Sequence, residues 1–178
     1  MRASVFIATS LDGFIARPNG NLDWLPGADG TLLPEDHGYD AFIASVDIIV
    51  IGRNSYEKVL TFADWPYGQM PVRVLTTHTL DIPSTVPPSV EAMSGSPAEV
   101  LAGLSRQGFR HAYVDGGRTI QGFLSAGLIQ KLILTRIPVL LGEGIPLFGV
   151  VPHDLHLQHV RTRSFAGGLV QSEYDLAI

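Results

Sequence analysis

Short apolar runs punctuate this chain, and between them lie segments with helical spacing or helix caps. Ser4 to Ala8, Asp47 to Ile51 (DIIVI, stopped by Gly52), Val72 to Leu75, Ala112 to Val114 and Lys131 to Arg136 are such runs. A strand that is apolar at successive positions has to bury both of its faces, which is the mark of a parallel sheet covered by helices on both sides. The intervening segments supply the helices. Pro34 to Val46 carries Pro34, Glu35 and Asp36 where a helix start favours them, followed by Tyr39, Phe42, Ile43 and Val46 at helical spacing. Ser55 to Leu60 is a short helix. Ser96-Pro97-Ala98-Glu99 is a capping box that opens a helix running to Gln107, with Gly108 behind it, and Thr119 to Ala126 is closed by Gly127. Leu11 to Gly30, rich in Gly, Pro, Asn and Asp, reads as a long loop. The end differs: His156 to Ser164, Gly167-Gly168 and Leu169 to Leu176 form an antiparallel hairpin pattern. The expected fold is therefore α/β, a three-layer sandwich whose mostly parallel central sheet ends in an antiparallel C-terminal hairpin. At 178 residues it suits one domain spanning the whole chain.

Composition narrows the function classes. The net charge is -5 and no run of Lys or Arg stands out, so a nucleic-acid footprint is not expected. With no cysteine, disulfides and thiolate-bound metals are ruled out, and a reducing cytoplasm suits the chain. The longest apolar stretch, LILTRIPVLL, is broken by Arg136 and Pro138 and falls short of the roughly 18 residues of a membrane span. The hydrophobic share of 46% and the stretch LILTRIPVLLGEGIPLFGVV offer more apolar surface than one small domain covers, so a homodimer is expected.

Several groups of residues could carry chemistry. Gly116-Gly117 stands where a strand turns into a helix; glycines there admit a pyrophosphate to free N–H groups, although a plain tight turn has the same spelling. Gly52-Arg53-Asn54-Ser55 is a second such turn, with Arg53 either a phosphate fork or a solvated cation. Thr76-Thr77-His78, after the strand VRVL, could hold a ribose 2′-phosphate or simply turn the chain. Asp36 and Asp40, one helical turn apart, could grip an amidine-like edge and move a proton, or could be an acidic first turn. Trp24 and Trp65 suit a pocket wall as well as a satellite core. His153, His156 and His159 do not suggest a metal, because strand neighbours at that spacing face opposite ways. The G-x-G-x-x-G fingerprint is missing after the first strand, which argues against an ordinary Rossmann dehydrogenase.

Taken in order, SVFIATSLDGFIA, NLDWL, SVDIIVIGRNSYE, VLTT and AYVDGGRTIQGFLSAGLIQKLILTRIPVLLGEGIPLFG resemble the dihydrofolate reductase superfamily. The resemblance is strongest to the branch of the C-terminal reductase domain of bacterial riboflavin biosynthesis. It implies an NADPH site carried position by position: Ala8 and the loop Leu11 to Ile15 beside the nicotinamide, and Gly52, Arg53, Asn54 and Ser55 at the phosphates. Thr76 and Thr77 would lie at the 2′-phosphate, and Gly116 and Gly117, joined by a cis peptide and followed by Arg118 and Thr119, at the pyrophosphate. It further implies a substrate pocket of Trp24, Asp36 and Thr135, with Asp36 and Thr135 as catalytic partners; Asp36 lies fifteen positions before Ile51, as the folate-binding carboxylate does in that superfamily.

The segment YGQMPVRVL departs from the folate enzymes, with Gln69 and Met70 near the place of the arginine that holds a glutamate tail. The expected activity is hydride transfer from NADPH to a C=N or C=O group of a small pterin-like or ribosylaminopyrimidine-like substrate. The alternative is a non-catalytic, NADP-binding or regulatory member of the same fold.

Overall fold

The computed structural model describes residues 1–27 and 35–176. In chain order these form β1 (Arg2–Ser10), β2 (Phe14–Ala16), α1 (Tyr39–Ile43), β3 (Ile48–Gly52), α2 (Arg53–Val59), β4 (Val72–Leu75) and β5 (Val90–Met93). They continue as α3 (Pro97–Arg106), β6 (His111–Asp115), α4 (Gly117–Ser125), β7 (Lys131–Ile137), β8 (Ile145–Pro146), β9 (Leu157–Ser164) and β10 (Val170–Leu176). Eight strands make one sheet in the order β5-β4-β3-β6-β1-β7-β10-β9, and β2 and β8 make a separate two-stranded ribbon. From β5 to β7 every pairing is parallel; β10 runs antiparallel to β7, and β9 antiparallel to β10.

The apolar runs are buried as their composition requires: Ile48, Ile49, Val50 and Ile51 have no exposed surface. Successive residues of β3 therefore serve two cores. Val50 packs with Val100 and Leu104 of α3 and Ile120 and Phe123 of α4. Ile51 packs with Phe42 of α1 and Tyr56 of α2 on the other face. The connections explain this division. The paths β1-α1-β3 and β3-α2-β4 move one way along the sheet, whereas β5-α3-β6 and β6-α4-β7 move the other. Right-handed crossovers in opposite directions put their helices on opposite faces.

Three elements differ from the sequence expectation. The helix expected over Pro34 to Val46 is only Tyr39–Ile43, and Pro34 lies outside the described residues. His37 and Gly38 have φ of 54° and 86°; this left-handed backbone cannot continue a helix. Asp36 instead turns its carboxylate onto the N–H groups of Gly38 (3.0 Å) and Asp40 (2.8 Å). β5 lacks a long apolar run and escapes the period-2 signal because only Val90 is buried. The loop expected over Leu11 to Gly30 contains β2, whose partner β8 is two residues long and about 130 positions away.

Candidate functional site

The point at which the crossovers diverge lies between β3 and β6. In open α/β sheets such a switch point leaves a crevice at the carboxyl ends of the two strands. Both strands end there in a glycine turn that opens directly into a helix. Neither α2, starting after Gly52, nor α4, starting after Gly116, has a side-chain cap. By contrast α3 has the expected capping box of Ser96 and Glu99. The two turns interlock. A Cβ on Gly116 would stand 2.3 Å from Ser55 Oγ, and one on Gly52 would stand 2.7 Å from Thr119 Oγ1. Backbone N–H groups of two helix starts thus converge where only glycine fits, which is the shape and polarity a pyrophosphate needs.

The expected cis bond between Gly116 and Gly117 is trans. Gly116 makes the turn instead with φ 91° and ψ 135°, and its N–H donates to the Asp115 carboxylate at 2.7 Å.

The residues expected to hold the rest of an NADP molecule lie around this crevice. Arg53 starts α2 and donates through Nε to Glu57 at 2.7 Å, so part of its charge is already paired. Asn54 is exposed on the same turn, and Arg118 is exposed at the start of α4. Thr76 and Thr77 follow β4, the next strand along the sheet. Thr76 Oγ1 accepts the His78 N–H at 3.1 Å within the turn, while Thr77 is exposed.

The β2–β8 ribbon lies over the α4 start. A Cβ on Gly117 would meet Ile15 Cδ1 at 2.9 Å and Ile145 Cγ2 at 3.5 Å. Asp12 latches the ribbon, accepting the N–H groups of Leu141 (3.1 Å) and Gly142 (2.8 Å). Fully buried Leu147 anchors its end, and the Leu147 N–H donates to the Gly13 carbonyl at 3.0 Å. The two segments with the most distinctive spelling, SLDGFIA and LLGEGIPLF, are therefore partners in space.

On the α1 face, Ala8, Thr135, Gln171 and Arg163 stand in register across β1, β7, β10 and β9. Asp36 and Thr135 are not direct partners. Asp36 is exposed, and the backbone N–H groups of Gly38 and Asp40 hold its carboxylate below the usual range. Buried Thr135 receives a hydrogen bond from Gln171 Nε2 (3.0 Å), which also donates to the His37 carbonyl (3.1 Å). Trp24 is half-buried, with an indole N–H that is sealed from solvent and finds no partner among the described residues.

A second carboxyl group, absent from the sequence reading, is Asp115 at the end of β6. Burial raises it above the usual carboxylate range, against the opposing pull of the Gly116 N–H and the Tyr67 hydroxyl. Tyrosines wall it in: Tyr67 and Tyr113 are raised well above ordinary phenols by burial and by Asp115, and Tyr39 is pushed up to about 12. The only clue in sequence was its place one residue before Gly116-Gly117.

Among the described residues no helix is long and apolar enough to cross a membrane. The profile of the RibD C-terminal domain matches residues 4–171. The chain is 34% identical over 173 residues to YwjB of Bacillus subtilis, covering 96% of this chain and 95% of that one. A crystal structure from Shewanella sp. PV-4, whose name refers to riboflavin biosynthesis, superposes with a TM-score of 0.91 at 39% identity over the full length of both chains. At the level of fold alone, dihydrofolate reductase from Enterococcus faecalis in complex with NADP(H) follows at a TM-score of 0.66 and 18% identity, covering 99% of this chain and 97% of that one. The interlocked glycine turns, the parallel sheet with its antiparallel end and these matches agree: the chain belongs to the RibD C-terminal domain family and has a dihydrofolate-reductase-like fold.

Proposed function

We propose that this protein transfers a hydride from NADPH to a C=N or C=O carbon of a small pterin-like or ribosylaminopyrimidine-like substrate. The observation that carries the reading is the pair of uncapped, interlocked glycine turns at the switch point, which adjoins the half-buried carboxyl group of Asp115. NADPH supplies the hydride; the chain positions the reactants and handles the proton. Backbone N–H groups at the starts of α2 and α4 hold the pyrophosphate. Arg53, Asn54 and Arg118 add polar contacts around it, Thr76 and Thr77 meet the 2′-phosphate, and Ala8 offers a flat wall to the nicotinamide. Asp115, whose carboxyl burial raises above its usual range, is better suited than Asp36 to deliver a proton, since the backbone N–H groups of Gly38 and Asp40 lower Asp36. When two carboxyl groups in one site are pushed apart in this way, the roles of acid and anion are set. Asp36 then orients a cationic or amino-bearing edge of the substrate, Thr135 hydrogen-bonds it, and Trp24 bounds the pocket.

Steady-state oxidation of NADPH with dihydropterin and ribosylaminopyrimidine substrates tests the reaction. Binding of NADPH with no turnover across that panel would favour the non-catalytic alternative. Calorimetry tests the cofactor. With Arg53, Thr76 and Thr77 at the 2′-phosphate, NADPH should bind at least about tenfold more tightly than NADH, and equal affinities would remove that assignment.

We also propose a homodimer. Leu140, Val150, Leu157 and Val160 are 69%, 93%, 43% and 46% exposed, an apolar display gathered in the C-terminal part of the chain. Sedimentation at high concentration should give twice the chain mass of 19.2 kDa; a monomer would refute it.

A further inference from the structure

Gln171 is a buried amide with all its strong partners in place. Arg163 Nη2 donates to its Oε1 at 2.7 Å, and its Nε2 donates to the His37 carbonyl and to Thr135 Oγ1. The orientation of this amide is dictated by chemistry. A guanidinium can only donate and a carbonyl can only accept, so oxygen must face Arg163 and nitrogen must face His37. It follows that Thr135 is an acceptor toward Gln171. Its own hydroxyl proton is left over, and among the described residues nothing accepts it. A buried hydroxyl whose proton has no partner is costly, unless a ligand takes that proton.

We infer that Gln171 is a specificity-determining positioning residue: by occupying the Thr135 hydroxyl as an acceptor, it makes Thr135 a hydrogen-bond donor to substrate. The inference rests on the proposed function, in which Thr135 faces the substrate, and it deepens that reading. The favoured substrate carries a ring oxo acceptor at this edge, and not an amino group. The same amide ties Thr135 to the left-handed turn that follows Asp36, so two substrate-facing residues on separate elements are set by one side chain. Arg163 completes the arrangement from β9; it packs against Gly38, where a Cβ would meet its Nη2 at 3.0 Å, and lies over the Phe165 ring at 5.4 Å.

The test compares two probes that differ at one edge, 7,8-dihydropterin with a ring oxo group and 2,4-diamino-7,8-dihydropteridine with an amino group there. Each is titrated into the NADPH-loaded protein. Wild type should prefer the oxo probe by about tenfold, the worth of one hydrogen bond. In Gln171→Glu a carboxylate keeps Arg163 as its partner but accepts the Thr135 proton, so Thr135 presents lone pairs and the preference should reverse. Gln171→Glu also sets an acceptor against the His37 carbonyl, which weakens both probes alike. The ratio between the probes is therefore the decisive quantity, and a purely structural role would leave it unchanged. In a Thr135→Val background the Gln171→Glu change should leave the ratio untouched, because paired residues are not additive. An unchanged ratio in Gln171→Glu, or a further shift of the ratio in the double variant, would overturn the inference.

If wild type binds NADPH but neither probe, the pterin-like reading fails, and the amide is examined in the ligand-free protein. Thr135→Val should then shift one Nε2 proton of Gln171 in the nitrogen–proton spectrum and leave the other in place; no shift would refute the hydrogen-bond polarity on which the inference depends.

Discussion

Asp115→Asn should lower turnover by about 10²–10⁴, the range for loss of a proton-transfer group, and the same protein should be more resistant to heat at neutral pH. Both effects come from one environment. Burial holds the Asp115 carboxyl above its usual range, so the folded state binds its proton more tightly than the unfolded chain does. Stability from this group is complete at pH values below the ordinary carboxylate range. It is lost as pH climbs toward the raised folded value, and near neutrality the group is a burden. Asparagine keeps the shape and discards the ionisation, so melting near pH 7 should rise by some 2–4 °C for each kcal/mol relieved, while the gap to wild type should close in acid. A gain in stability with a loss of function marks a strained functional residue. Asp36→Asn is the contrast: it loses an ionised, exposed group, so it should weaken substrate binding more than turnover. If Asp115→Asn retains full turnover on a confirmed substrate, the proton comes from water or from the substrate itself.

Gly116→Ala is expected to damage both the fold and the site. The left-handed φ of 91° alone costs a side chain about 1–2 kcal/mol. The new methyl would also lie 2.3 Å from Ser55 Oγ and 3.2 Å from Ser55 Cβ, so the two turns must separate. Melting should fall by roughly 5–10 °C. Catalytic efficiency with NADPH should fall by about 10²-fold, as a displacement near 1 Å can cause. Adding Ser55→Gly removes the clash and leaves the backbone strain, so it should restore cofactor use in part. If Gly116→Ala alone binds NADPH with wild-type affinity, the pyrophosphate does not lie between these turns.

The sheet was legible in sequence because its strands are buried on both sides, which leaves uninterrupted apolar runs such as DIIVI. The antiparallel hairpin was legible from Gly167-Gly168. What stayed hidden depends on pairing across distance. β8 has two residues and exists only because β2 lies beside it. The helix after Pro34 was overestimated because helical spacing at Tyr39, Phe42 and Ile43 says nothing about left-handed backbone at His37 and Gly38. The glycine turns and the threonines were placed by spelling and resemblance. The partner of Thr135 was missed because Gln171 follows it by 36 positions, within an unremarkable hairpin strand. Asp115 was passed over because a carboxylate beside two glycines looks like turn chemistry; only its tyrosine neighbours set it apart.

The clasp between Asp12 and the Leu141–Gly142 backbone has a kinetic consequence. The glycine turns of Gly52 and Gly116 follow strands that pair directly, β3 and β6. Their cover requires residue 12 to find residue 142, a loop closure of 130 positions that follows only after β7 has docked beside β1. During refolding, amide protons of the central strands should become protected before those of the ribbon. During synthesis, a nascent chain lacking the last forty residues would hold a bare crevice with nothing to keep solvent from it.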